Sequence, residues 1–387
     1  MAFDDLKAFV IVLVVLHHSL QAYTTYARYD FSNYVFSTWP VVDSARSYAF
    51  DLFQRFNDLY FMSLLFFVSG LFTWPSLNRK GAGEFLKDRF LRLGVPFAIG
   101  VTLLAPLGEY PAYLVTGHEP GFFHFWFRVF FINHWYSGPV WFLWVLLFFS
   151  LVLVFLRACA SVGLALFFAG VDRLSKHPYL FIGITLGLTF FAYALLFLVW
   201  PYTDLRSWMS NAGPFWVQLN RVLVYFCFFL GGVAMGKNGI ASAPLLQREG
   251  AWAKKWVLWW GFAFIFYTLS VWQGEGGVLG WKPSTPFAKN LLSCAFFASV
   301  CTFASVGMVS FFARFMNFES AFWGSLSENS YAIYLVHFPI VVGLQYGLLP
   351  FSLPVFLKLC VVVLGGWGLS WMAGILLRRL PGLRRVL

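Results

Sequence analysis

Charge is what this chain has least of. Of its 387 residues, only 11% are Asp, Glu, Lys or Arg, where a soluble domain carries about 25%. That shortage excludes a disordered chain, a nucleic-acid domain and an ordinary cytosolic enzyme. Cysteine is also scarce. The five present are Cys159, Cys227, Cys294, Cys301 and Cys360. Their count is odd, and no CxxC pair or Cys/His cluster has metal-ligand spacing. A secreted disulfide scaffold is excluded and no metal is implied. The cysteines read as small buried residues in or beside apolar runs. Low-complexity tracts and a clear internal repeat are missing too, so residues 1–387 are expected to form one domain. There is no G-x-S-x-G elbow, and none of the seven histidines has Asp five residues later.

What the chain does have is apolar surface. Hydrophobic residues make up 60%, with 49 Phe, 18 Trp and 17 Tyr, and the mean hydropathy is +0.73. A soluble fold of this size cannot hide so much, so the excess belongs in lipid. A spanning helix needs about 20 mostly apolar residues. Ten stretches qualify: 8–27, 58–76, 93–115, 138–156, 178–200, 215–236, 256–273, 287–311, 326–348 and 354–377. The expected fold is an all-α polytopic membrane bundle. The first stretch follows a net-negative MAFDDLK and has no clear small-residue cleavage site. It reads as a retained span rather than a signal peptide. Residues 116–137 are aromatic and, like 158–177, suit the membrane interface.

The net charge of +11 has a topological explanation. With the N-terminus inside, the inner connectors and ends hold eighteen Lys and Arg, and the outer ones hold seven. The inner set includes Arg79, Lys80, Lys87, Arg157, Arg173, Lys176, Lys237, Arg248, Lys254, Lys255, Arg314, Arg378, Arg379, Arg384 and Arg385. The outer set is Arg28, Arg46, Arg55, Arg128, Arg206, Lys282 and Lys289. This asymmetry fits the positive-inside rule with both termini cytoplasmic, and an even number of spans agrees. No nucleic-acid partner is needed to explain the basic balance.

Ionisable groups at membrane depth are costly and tend to be functional. His18, in LVVLHHSLQAY, lies eleven residues after Lys7. That is roughly 16 Å of helix and almost three whole turns, about half of a hydrocarbon core roughly 30 Å thick. Lys7 and His18 therefore share a stripe, one at the cytoplasmic surface and one near the midplane. A surface cation can hold an anionic tail while a buried imidazole works on the other end of the same ligand. A histidine merely hydrogen-bonded to a neighbouring helix fits the spacing equally. His17 is rotated away by about 100° and is the weaker candidate.

Two further stretches stand out. In EFLKDRFLRLGVPF, Arg89 and Arg92 sit three apart at the cytoplasmic mouth of the third span. Paired guanidiniums there can bind phosphates, although positive-inside anchoring explains them as well. In SENSYAIYLVHFPIV, Ser330, Tyr334 and His337 follow i, i+4, i+7 spacing. His337 reaches a depth like that of His18 and can orient a substrate, support His18 or make a structural hydrogen bond. Weaker points are Asn57 and Asp58, Glu109, and Asn220 and Arg221, readable as buried ion pairs, snorkelling ends or acceptor contacts. Ser19 reads as a helix-packing residue and Trp141 as a packing or interface aromatic.

These motifs together resemble the integral-membrane acyltransferase-3 family, which includes O-antigen acetylases and glucan succinyl-transfer proteins. The family has a basic residue, ten intervening residues and a histidine in its first span, here Lys7 and His18. Its Arg-x-x-Arg is Arg89 and Arg92 in RFLRLGVP, after the FFVSGLF that ends span two. Its SYxIYLxHxP stretch is Ser330 to Pro339, and GPVWFLWVLL resembles its Trp-Phe-Leu segment. Two departures are the Lys at the first position, where Arg is commoner, and the lack of an appended hydrolase-like domain, which leaves the acceptor open.

The resemblance implies a bacterial inner-membrane O-acyltransferase with no permanently bound cofactor. The donor is then cytoplasmic acyl-CoA, with acetyl-CoA the leading choice. Its phosphates would meet Lys7, Arg89 and Arg92, and His18 would be general base on an acceptor hydroxyl of a cell-envelope glycan, a lipid-linked sugar or a secreted glycoside. His337, Tyr334, Ser330, Glu109, Asp58 and Arg221 remain candidates for support or acceptor binding. Direct transfer and an acyl-enzyme stay open. The rival from another class is a proton-coupled transporter of a sugar- or lipid-linked substrate. It would release no CoA, and the paired broken helices typical of transporters are not evident.

Overall fold

Lipid offers a peptide group no hydrogen-bond partner, so a chain this apolar crosses a membrane as helix. In the computed structural model the described residues are 2–118, 121–133, 135–199, 208, 213–239, 242–275, 285–316 and 318–383. Of the cations used to orient the chain, Arg206, Lys282, Arg384 and Arg385 lie outside them.

The first helix, α1, is Ala2–Gln21. An outer segment, 22–47, leads to the short α2, Tyr48–Asp58. Helix α3, Phe61–Arg89, is broken at Gly81, where φ is 76°, a left-handed value that glycine adopts without a Cβ clash. The break turns the chain back on itself. Lys80 meets Asp88, and Arg89 donates to the Thr73 hydroxyl at 2.9 Å. The returning arm stays helical through π turns at Phe90–Gly94 and Gly100–Leu104 and ends in α4, Ala105–Val115.

Eight helices follow. They are α5 Trp141–Cys159, α6 Ser161–Leu174, α7 Pro178–Val199, α8 Leu219–Gly236, α9 Trp256–Glu275, α10 Pro286–Phe315, α11 Ala321–Leu348 and α12 Val355–Leu377. Counting the arms around Gly81 separately and leaving out α2 and α6, ten long helical stretches stand among the described residues, near the ten read from sequence. Among the described residues, seven segments are long and apolar enough to cross a membrane, and one of them, the 68-residue Tyr48–Val115, holds both arms. The protein is an all-α, multi-pass membrane protein. Helix α6 buries only Leu164 and Phe168.

Packing brings α1 chiefly against α11, α3 against α8, and α11 against α12. Between α3 and α8 the backbones nearly touch. A Cβ at Gly232 would lie 2.0 Å from the Phe67 carbonyl oxygen, and one at Gly236 would lie 2.0 Å from that of Leu71. Lipid tails are as apolar as side chains, so close approach and dispersion contacts hold such helices together. The cysteines divide: Cys294 and Cys301 are buried, Cys227 is intermediate, and Cys159 and Cys360 are exposed. The expectation of burial therefore fails for two of them. An outward face of a spanning helix meets lipid rather than water, so an apolar thiol is stable there.

Candidate active site

Helix α1 delivers His18 and α11 delivers His337 to one point. His18 Nδ1 and His337 Nε2 are 2.9 Å apart, and the ring centroids are 5.0 Å apart. The other nitrogen of His337, Nδ1, lies 2.6 Å from the Tyr334 carbonyl oxygen. These contacts assign the protons. A carbonyl only accepts, so His337 Nδ1 carries a hydrogen and its Nε2, in the neutral ring, accepts. His18 Nδ1 must then be the donor, which leaves the lone pair on His18 Nε2. The pair thus fixes the tautomer a general base needs, with a second imidazole behind it to share positive charge.

The His18 ring is held from a third direction. Trp39, on the outer segment, lies parallel to it, with centroids 5.3 Å apart and 8° between planes. Trp39 Nε1 donates to Gln345 Oε1 at 2.7 Å. Gln345 Nε2 in turn donates to the His18 and Ser19 carbonyls at 3.0 and 3.1 Å. Those carbonyls belong to the last turn of α1, where helical partners run out. Gln345 therefore caps α1 and ties Trp39 to it. The outer segment is anchored to α12 by Lys358 and Asp43, 2.6 Å apart and both 2% exposed. His17 borders a cavity that His18 also borders, but its ring has different partners. Gln54 Nε2 is 3.1 Å from its ring, and Phe61 stacks on it at 5.0 Å.

A cavity of about 890 Å³ opens beside the pair, lined by His18, Trp39, Asp58, Glu109, Arg221 and Tyr334 among others. Residues of the 22–47 segment and Tyr136 also line it, so it faces the side that the charge distribution assigns to the outside. Asp58 and Arg221 form a forked ion pair in its wall, with contacts of 2.6 and 3.0 Å, and Arg221 also donates to the Asp58 carbonyl at 3.1 Å. Glu109 is 6% exposed and makes no ion pair or hydrogen bond among the described residues. The tyrosine hydroxyl of Tyr334 is engaged by the Pro139 carbonyl, so only its ring is offered to the cavity. Ser330 donates to Ser327 on its own helix at 2.8 Å and does not line the cavity. Ser19 bonds back to the Val15 carbonyl at 2.8 Å, a packing contact.

The three cations near the inner end are arranged differently. Lys7, Arg89 and Arg92 do not line the cavity. Lys7 and Arg89 are half-buried and Arg92 is exposed. Besides its bond to Thr73, Arg89 lies over the Phe85 ring at 5.1 Å. Arg92 falls in the Phe90–Gly94 π turn, whose carbonyl at Arg92 accepts the Tyr331 hydroxyl of α11. That turn widens the helix, so the i, i+3 spacing does not give the two arginines matching environments. Among the described residues, no group of three His, Cys, Asp or Glu is placed to hold a metal.

Sequence reasoning missed Trp39, Gln54, Gln345 and the Asp43–Lys358 pair. Gln345 and Lys358 had a signal, since each is a polar residue inside an apolar run. Trp39 and Gln54 had none, because each sits in a polar or aromatic stretch where such residues are ordinary.

The comparisons bear on this arrangement directly. A family model described as an acyltransferase domain matches residues 2–374. Curated relatives named "Glucans biosynthesis protein C", from Salmonella typhi and Salmonella choleraesuis, are 25% identical over 348 residues, spanning 88% of this chain and 81% of theirs. No solved structure matches. The match covers the helices that carry both histidines, both arginines and the cavity, and this chain belongs to the acyltransferase-3 family.

Proposed function

We propose that this membrane acyltransferase moves an acyl group, acetyl first, from cytoplasmic acyl-CoA to a hydroxyl of a carbohydrate, with His18 as general base. The observation that carries the reading is the hydrogen-bonded His18–His337 pair beside a cavity of mixed polar and aromatic lining. His18 Nε2 takes the proton from the acceptor hydroxyl as its oxygen attacks the thioester carbonyl. The C–S bond breaks, and the thiolate leaves as CoA after receiving that proton. General-base help of this kind is worth about 10²–10⁴-fold. His337 holds the tautomer and shares the transient charge. Lys7, Arg89 and Arg92 would meet the donor's phosphates and nucleotide. The relatives' printed name concerns glucans, which supports a carbohydrate acceptor. A bacterial inner membrane is the setting the reading requires, since acyl-CoA is cytoplasmic and the acceptor is reached from the other face.

The test supplies radiolabelled acetyl-CoA to native-host membrane vesicles and follows free CoA and labelled product for wild type and His18→Ala. Wild type should release CoA and label a glycan or glycolipid, and the variant should do neither. CoA release without any labelled carbohydrate would overturn the acceptor class. Absence of CoA release from wild type would favour the transporter.

A further inference from the structure

The cavity lining carries polar groups that the chemistry at His18 does not use. Glu109 of α4 is 6% exposed, and no cation pairs with it among the described residues. Tyr34, on the outer segment, is 9% exposed, and its hydroxyl has no partner. Gln21, at the end of α1, has an unpartnered, buried amide oxygen. All three line the cavity that His18 lines. Burial and the nearby Glu109 carboxylate both raise the Tyr34 phenol above its ordinary range, which places the two groups within electrostatic reach. Buried polar atoms are almost always satisfied in folded proteins, so unmet ones gathered in a single cavity point to a ligand.

We propose that Glu109, Tyr34 and Gln21 form an anchoring subsite for further hydroxyl groups of the acceptor, making this enzyme selective for polyols over simple alcohols. The inference rests on the acyl-transfer reading above and adds what holds the acceptor while one hydroxyl reacts. The class follows from the unmet valences. Glu109 and the Gln21 oxygen lack donors, and the Tyr34 oxygen can give or take. A hydroxyl-rich ring supplies donors in several directions at once. An ammonium would also satisfy Glu109, but Arg55 lines the same cavity and opposes a second cation. The other carboxylate there, Asp58, is already neutralised by Arg221. Tryptophan faces at Trp141 and Trp216 complete walls of the mixed polar and aromatic kind that fix a ligand's orientation.

The experiment titrates the native host's periplasmic oligosaccharide and glycolipid extract into reconstituted vesicles at saturating acetyl-CoA, then titrates acetyl-CoA at saturating extract. Glu109→Leu should raise the half-saturating extract about tenfold, the upper scale of one lost hydrogen bond, while the acetyl-CoA KM stays within about twofold. Glu109→Gln keeps an accepting oxygen and should cost no more than about threefold. Tyr34→Phe removes one oxygen, is least able to disturb folding, and should also raise the half-saturating extract about threefold. An unchanged extract requirement in Glu109→Leu and Tyr34→Phe overturns the subsite. Equal damage from Glu109→Gln and Glu109→Leu overturns the hydroxyl class in favour of a cation. Failure of the acyl-transfer reading looks different, because wild type and variants would then all fail to label the extract.

Discussion

The two ends of this helical bundle are built to different degrees of completion. At the outer end, segment 22–47 folds inward and is pinned by the buried Lys358–Asp43 pair, and Trp39 lies flat on His18. The cavity there is formed, and two of its lining residues, Gln21 and Tyr34, carry an oxygen without a partner. At the inner end, the cations assigned to the donor do not share that cavity, and Arg89 is engaged by Thr73 and Phe85. On the proposed function, the comparison separates an acceptor cavity already formed without ligand from a set of donor-binding cations that would have to be gathered by the ligand. A preformed polar cavity recognises its ligand by fixed geometry. A flexible ammonium and two guanidiniums around a membrane mouth can instead collect phosphates and rearrange. On that reading the donor's thioester has to travel from these cations to His18, and gating by substrate is the expectation.

The comparison can be broken at several points. The largest effect is expected at its centre. His18→Ala should lower transfer by about 10²–10⁴-fold with little change in half-saturation for either substrate, as initial rates would show. Removing the partner that sets the tautomer comes next. His337→Leu should cost roughly 10²-fold in kcat, since a misassigned tautomer disables an imidazole base even with its geometry intact. His337→Gln offers an amide oxygen to His18 Nδ1 and should recover much of that loss. Equal damage from both variants would mean that His337 contributes bulk rather than an acceptor.

The inner end should respond in KM. Lys7→Ala, Arg89→Ala and Arg92→Ala should each raise the acetyl-CoA KM by roughly tenfold, with kcat nearly kept, if they hold only the donor's anionic tail. Equal loss of kcat and kcat/KM at Arg92 would contradict that division. The smallest effect is expected at Trp39. Its replacement by Leu should lower kcat by about threefold to tenfold, the worth of one aromatic contact, and leave the acetyl-CoA KM alone. A larger shift in donor KM than in kcat would place the donor, rather than the acceptor, against Trp39.

Much of this was legible because polarity is rare in the chain. His18, Glu109, Arg221 and His337 stand out in apolar runs, where each needs a reason to be there. The Lys7–His18 spacing is readable because helix geometry converts eleven residues into depth and phase. Pairings across the bundle were not readable. Asp58 meets Arg221 across 163 positions, and His18 meets His337 across 319; periodicity along one helix says nothing about which helix lies opposite. Trp39 illustrates the other limit. Its role comes from a loop folding back onto α1, and a tryptophan in a chain with eighteen of them carries no mark of its own. The arginine pair shows local geometry overriding spacing, since a π turn separates environments that an α-helix would have matched.

The central claim is that donor and acceptor reach His18 from opposite faces. It is tested most directly by offering labelled acetyl-CoA to inverted and to right-side-out vesicles of wild type and His18→Ala. The account predicts labelled carbohydrate and free CoA only from inverted wild-type vesicles. Equal labelling in right-side-out vesicles, or His18→Ala matching wild type at equal abundance, would contradict it.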